Sequence, residues 1–245
     1  MPTALVTGVS RGLGTHICHS LKAAGYRVLG AGLASSPGHG ALDDYQVVDL
    51  RKPVAADLFA SEDIDVLVNN AGVYLDDPRR GYGDVLSLSI DDLRDTFEVN
   101  LFGTAQLVLR YAPRMIARSS GRIVCVSSGM GRLQDADGAS FAYRSSKLAI
   151  NSLVLSIAHH FGEATGELSV FSYCPRWIRT DMGTESAPHA PEPAAADLVR
   201  LLEIPANQSN GRFFRGLREL GWDTQGPFVG GGRGGGHPQR ANPPG

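Results

Sequence analysis

Tyr143 and Lys147 stand four residues apart in the stretch Ser140-Phe141-Ala142-Tyr143-Arg144-Ser145-Ser146-Lys147. On a helix that spacing puts both side chains on one face, a turn apart. A phenol with a pKa of about 10 is a poor acid or base near neutrality. An ammonium held beside it stabilises the phenolate and draws that pKa toward the working range. The pair is therefore a candidate proton-transfer device. The spacing alone is common, so the elements around it must decide.

The first of those elements is Thr3-Ala4-Leu5-Val6-Thr7, a short β-branched run. It leads into Gly8-Val9-Ser10-Arg11-Gly12-Leu13-Gly14 and then a helical pattern of Ile17, Leu21 and Ala24 that stops at Gly25. Strand, glycine turn and helix open a dinucleotide-binding unit, in which the glycines let the backbone approach a pyrophosphate at the helix N-terminus. A second strand is expected from about Tyr26 to Ala31. An acid that would bond the ribose 2′-hydroxyl of NAD is missing after it, since Gly32-Leu33-Ala34-Ser35-Ser36 carries no carboxylate. Arg11 could instead pair with a 2′-phosphate. These two features place NADP ahead of NAD and leave NAD possible.

Further strands are expected at Gln46–Leu50, where Asp49 could reach the adenine, and at Ile64–Val68, which runs into Asn69-Asn70-Ala71-Gly72. Two more follow at Arg122–Ser128 and Leu168–Cys174. Near-continuous apolar strands separated by helices predict an α/β fold: a doubly wound parallel sheet of about seven strands with helices on both faces. A long helix is expected from Ile90 to Met115, with Asn100 in its middle, where asparagine has poor propensity and a buried amide demands a partner. The Asp76-Asp77-Pro78-Arg79-Arg80 run reads as a solvated loop, and Asn210–Gly216 as a final hairpin or short strand.

Residues 1–222 read as one domain. From Asp223 to Gly245, twelve of 23 residues are glycine or proline, a composition that cannot bury enough surface to order itself. The net charge of −2 gives no basic block for nucleic acid or an anionic membrane. The chain has no run of roughly 18 apolar residues and begins directly in a strand, so a cytoplasmic protein is expected. Cys18, Cys125 and Cys174 form no C-x-x-C pair and suggest no disulfide framework. His16-x-Cys18-His19 falls on a helix where the side chains splay, so no metal is expected there.

Together, Thr7-Gly8-x3-Gly12-x-Gly14, Asn69-Asn70-Ala71-Gly72, Asn100, Ser127-Ser128, Tyr143-x3-Lys147 and Pro175-x-Trp177-Ile178-x-Thr180 resemble the short-chain dehydrogenase/reductase family in its compact form. The closing Gly211-Arg212-Phe213-Phe214 to Trp222 resembles the end of C-factor-like bacterial reductases. The resemblance implies hydride transfer between NADP (or NAD) and a small carbonyl or alcohol substrate. It assigns Tyr143 as acid/base, Lys147 as the group that lowers its pKa and holds ribose hydroxyls, Ser128 as the substrate-oxygen donor and Asn100 as the anchor of a proton-carrying water. It implies cofactor contacts at Gly8, Ser10, Arg11, Gly12, Leu13, Gly14, Asp49, Leu50, Asn70, Ala71, Gly72, Pro175, Ile178 and Thr180, and a homodimer or homotetramer paired through the long central helices.

Three departures from the family pattern stand out. Ser128 precedes Tyr143 by 15 residues, a longer interval than usual, which leaves Ser127 a competitor. Arg176 replaces the glycine of a Pro-Gly pair. The second strand lacks both an acid and a base at its end. The small and apolar residues of the loops 129–142 and 183–193 hint at an uncharged substrate. The rival reading is an NADP-binding regulatory or scaffold protein without turnover.

Overall fold

The computed structural model describes residues 1–81, 84–136, 138–163 and 167–222, without the side chains of Asp135 and Glu163. The glycine- and proline-rich segment from Asp223 onward lies outside the described residues. An eight-stranded sheet runs in the order β3-β2-β1-β4-β5-β6-β7-β8. Its strands are β1 (Thr3–Thr7), β2 (Arg27–Gly32), β3 (Asp44–Val47), β4 (Val66–Asn69), β5 (Ser120–Val126), β6 (Glu167–Cys174), β7 (Phe213–Arg215) and β8 (Arg218–Leu220). All neighbouring pairs are parallel except β7 with β8. The hairpin or short strand expected at 210–216 supplies β7 alone, and β8, which was not expected, brings the strand count to eight rather than seven.

Alternate residues of the apolar runs feed two cores, one on each face. Ala4, Val6, Val28, Val68, Val124 and Phe171 pack against α1 (Gly12–Ala23) and α5 (Pro191–Leu201). Leu5, Leu29, Leu67, Ile123 and Val170 pack against α3 (Thr104–Ala117) and α4 (Phe141–Glu163). Burial on both faces explains why these strands read as continuous hydrophobic runs rather than alternating ones. A short α6 (Ala206–Ser209) precedes β7. Among the described residues no helix is long and apolar enough to cross a membrane.

The third strand ends at Val47, so Asp49 sits in the loop beyond it. The expected single helix of residues 90–115 is three pieces: α2 (Ile90–Phe97), a π-helical turn at Glu98–Gly103, and α3. The π-turn arises where a side chain is committed to tertiary bonds that a regular helix would not aim. That side chain is Asn100, fully buried.

Candidate active site

Because the sheet is parallel, the loops after β1, β2, β3, β4, β5 and β6 all emerge at one edge, the place where open α/β sheets hold ligands. They line a cleft of about 1660 Å³ that runs from the Gly8 turn, past Asp49 and Asn70–Gly72, to Ser128, Tyr143, Lys147 and Thr180.

At one end, the glycine turn is built by close approach. Gly8 takes φ +69°, and a Cβ there would stand 2.7 Å from Ala71 Cα. A Cβ on Gly14 would overlap the Gly8 carbonyl. Asn70 ties this turn to β4 by donating to the Thr7 and Gly8 carbonyls at 3.0 and 3.1 Å. The first turn of α1 has no side-chain cap and no acidic residue. The Ser10 hydroxyl is buried without a hydrogen-bond partner among the described residues. Uncapped N–H groups and an orphaned hydroxyl in a cradle that only glycine permits suit a pyrophosphate. Arg11 reaches across the cleft to Asp181 at 3.1 Å, both side chains well exposed. Asp49, expected near the adenine, is held by two hydrogen bonds of 2.9 Å from Arg51. Leu13, Leu50, Pro175 and Ile178 also line the cleft.

At the other end, α4 carries Tyr143 and Lys147 on one face as expected. Lys147 is buried, donates to the Val126 carbonyl at 2.8 Å, and lies 5.5 Å from the centre of the Tyr143 ring. Burial pushes its ammonium down to about 8. Burial likewise raises the Tyr143 phenol well above its ordinary value, and a hydrogen bond with Ser128 opposes that rise. The depression of the phenol expected from Lys147 is not found: desolvation is the largest effect on the phenol, and the ammonium points at a carbonyl and over the ring face. Of the two candidate serines, Ser128 is the one that lowers the phenol's pKa, whereas the buried Ser127 hydroxyl has no partner among the described residues.

The Asn100 amide accepts from Val73 N at 2.8 Å and donates to the Val73 carbonyl and to Ser146 Oγ, both at 3.0 Å. A Cβ on Gly72 would stand 3.2 Å from Asn100 Oδ1 and 3.5 Å from Lys147 Nζ, so this backbone is pressed between the two.

The Asp76–Arg80 run is not the solvated loop its composition suggests. Asp76 and Asp77 are buried. Asp76 accepts from Ala142 N at 2.6 Å and Tyr143 N at 3.2 Å, capping α4 from 66 residues away in sequence. The Asp77 carboxylate is gripped by both prongs of Arg79. Arg79 in turn donates to the Met182 and Gly183 carbonyls and sits 5.7 Å from the ring centres of Tyr74 and Trp177. Tyr74 stacks on Tyr143 with ring centres 4.3 Å apart and hydrogen-bonds Ser140. Asp76, Tyr74 and Arg79 thus position the phenol, and sequence reasoning missed them. The only signal was the density of charge in five consecutive residues.

Arg176 adopts φ +70°, the left-handed region that glycine enters without steric cost. Arg176→Gly relieves roughly 1–2 kcal/mol of strain and returns part of it as unfolded-state entropy, a net gain of about 0.5–1 kcal/mol. Calorimetry should show Tm rising by about 1–3 °C; a fall would mean that the arginine side chain stabilises the fold.

The short chain dehydrogenase family model matches residues 2–191. Oxidoreductase UcpA of Escherichia coli (strain K12) is 30% identical over 220 residues, covering 82% of this chain and 80% of that protein. C-signal of Myxococcus xanthus is 32% identical over 152 residues, 62% of this chain and 87% of its own. Among solved structures, a short-chain dehydrogenase/reductase from Burkholderia multivorans with NADP bound superposes with a TM-score of 0.77 at 25% identity, covering 90% of this chain and 99% of its own.

Proposed function

The chain belongs to the short-chain dehydrogenase family, and from that premise we propose that it interconverts a carbonyl and an alcohol with NADP, using Tyr143, Lys147, Ser128 and Asn100. The observation that carries this reading is a buried lysine 5.5 Å from the centre of the Tyr143 ring, with Ser128 lining the same cleft, which begins at an uncapped helix N-terminus.

Gly8, Ser10, Gly12, Leu13, Gly14 and the α1 N-terminus would hold the pyrophosphate. Asp49, Leu50, Asn70, Ala71 and Gly72 would flank the adenosine half, with Pro175, Ile178 and Thr180 at the reacting half. The coenzyme, when bound, supplies or takes up the hydride. The protein's part is to orient and to move a proton. Ser128 holds the substrate oxygen beside the phenol. Tyr143 donates its proton to that oxygen in reduction and recovers it in oxidation. Lys147, positively charged at neutral pH, stabilises the phenolate that results. Asn100 fixes the Val73 backbone and Ser146 and thereby the floor beneath Lys147.

The absence of a carboxylate at the end of β2 and the position of Arg11 at the cleft mouth favour NADP. A 2′-phosphate would compete with Asp181 for the Arg11 guanidinium. Arg11→Ala should therefore weaken NADPH binding about tenfold, the worth of one charge-assisted hydrogen bond, and leave NADH unchanged. Fluorescence titration reads both. An equal loss for the two coenzymes would remove Arg11 from the 2′-phosphate site.

The exposed apolar side chains Phe102, Leu109 and Ile116 recur every seven residues along the π-turn and α3. That spacing supports pairing of two copies through this helix.

The reading is tested by initial rates of NADPH and NADH oxidation with a panel of ketones, aldehydes and quinones. Tight coenzyme binding with no turnover would favour the regulatory alternative.

A further inference from the structure

Arg176 follows β6 and Arg215 ends β7, and both line the catalytic end of the cleft. Cys174 and Arg215 are paired in register, so the two arginines leave the sheet edge side by side. Each guanidinium occupies space that a glycine keeps clear. A Cβ on Gly129, the residue after Ser128, would overlap the Arg215 head group. A Cβ on Gly216 would stand 2.7 Å from the Arg176 head group.

Four other guanidiniums at this cleft are neutralised: Arg11 by Asp181, Arg51 by Asp49, and Arg79 and Arg80 by Asp77. Arg176 and Arg215 make no hydrogen bond or ion pair among the described residues. The acid near Arg176 is Asp197, whose Oδ2 lies 3.1 Å from the same Gly216 Cβ position, and it pairs with Arg200 at 4.0 Å. Arg176 also holds a left-handed backbone where glycine would be unstrained. Both arginines line this one cleft, the Arg215 head group beside Gly129 and that of Arg176 near Gly216, and guanidinium forks are suited to an oxyanion, which each can grip with two parallel N–H donors.

We propose that Arg176 and Arg215 form an anion subsite beside Ser128 and Tyr143, and that the substrate bears a carboxylate or phosphate close to its reacting carbon. This rests on the reading of the chain as a carbonyl/alcohol oxidoreductase. The uncharged substrate suggested by the loop composition gives way for a physical reason. None of Leu133, Ala136, Ala139, Phe141, Ala187 and Ala190 lines the cleft. The charge enters instead from the β6–β7 side, where Arg176 stands in place of the family glycine.

Matched substrate pairs test the subsite: 4-carboxybenzaldehyde against methyl 4-formylbenzoate, and dihydroxyacetone phosphate against dihydroxyacetone. Each is reduced by wild type and by the double variant R176G/R215Q at saturating NADPH. In parallel, 4-(hydroxymethyl)benzoate and its methyl ester are titrated calorimetrically into the NADPH-loaded proteins, and NADPH itself into the coenzyme-free proteins. The wild type should prefer the charged member of at least one pair by about tenfold or more in kcat/KM, the worth of a charge-assisted contact. Which pair responds tells carboxylate from phosphate. The double variant should lose that preference with NADPH affinity unchanged.

An acid or phosphate ester that is used no better than its neutral partner, with no selective binding of the benzoate, overturns the subsite while leaving the oxidoreductase reading intact. A fall in NADPH affinity in the variant also overturns it, since the arginines would then serve the coenzyme. Selective binding of the benzoate by wild type alone, with no turnover of any pair, upholds the subsite and counts against the oxidoreductase reading.

Discussion

Replacing Tyr143 by phenylalanine should lower kcat for carbonyl reduction about a thousandfold, within the range by which a positioned general acid speeds a reaction. The loss corresponds to about 4 kcal/mol of transition-state stabilisation. The variant keeps the ring, so the stack on Tyr74 survives and the phenyl still covers Lys147. Only the hydroxyl at Ser128 is removed. Because burial raises the phenol's pKa, the wild-type group is fully protonated through neutrality and holds the proton that reduction consumes, although burial makes it a weaker acid. Coenzyme affinity should change less than about twofold, a few tenths of a kcal/mol, since the glycine turn at the far end of the cleft is untouched. Single-turnover measurements of NADPH oxidation separate the chemical step from binding. Turnover retained within about tenfold of wild type would show that another group donates the proton.

How much of this site was legible in the sequence depended on how locally each part is determined. The Gly8–Gly14 turn and the Tyr143/Lys147 pair each belong to one strand–turn or one helix, and their geometry follows from spacing. The sheet then brings them to a common edge because parallel strands all point the same way. What stayed hidden rests on contacts between distant segments. Asn100 was singled out as a mid-helix amide, but the π-turn around it depends on the Val73 backbone 27 residues away. Asp76 is read as surface until α4 is placed above it. Arg11 and Asp181 meet across 170 residues. The relation between Lys147 and Tyr143 was visible as a spacing, but its electrostatic outcome was not, because desolvation of the whole cleft floor sets the larger effect. Charges in the Asp76–Arg80 run look solvated whenever composition alone is weighed, and here all four of them are consumed in holding α4 and the loop at 181–183 in place.

Lys147→Met offers the second large effect, one that links stability to function in opposite directions. Removing the ammonium should cut turnover by about a hundredfold or more, since the phenolate loses its stabilising charge. The same change should make the coenzyme-free protein more stable at neutral pH. Holding the Lys147 ammonium in a buried site, with its pKa moved from 10.5 to about 8, costs on the order of 3 kcal/mol. Methionine of similar length escapes that cost but leaves the Val126 carbonyl without its donor, a loss of about 1–2 kcal/mol. A net gain of roughly 1–2 kcal/mol, or a Tm rise of about 2–6 °C, is expected at pH 7. Below pH 8 the native and unfolded states both carry the charge, so the wild type bears the full penalty. Between pH 8 and 10.5 the native lysine is neutral while the unfolded one still binds a proton, so the wild type gains stability as pH rises. Cys18 and Cys125, both pushed up to about 12 by burial, act against this above pH 9, but they do so equally in both proteins. The difference between variant and wild type therefore isolates Lys147. Urea unfolding from pH 7 to 10 should show the variant's advantage shrinking above pH 8 and reversing near the upper end, where the wild type keeps its bond to Val126 without the burden of charge. A difference that stays flat across that range would mean that the lysine does not titrate there, and that the proton relay draws on a charge held by other means.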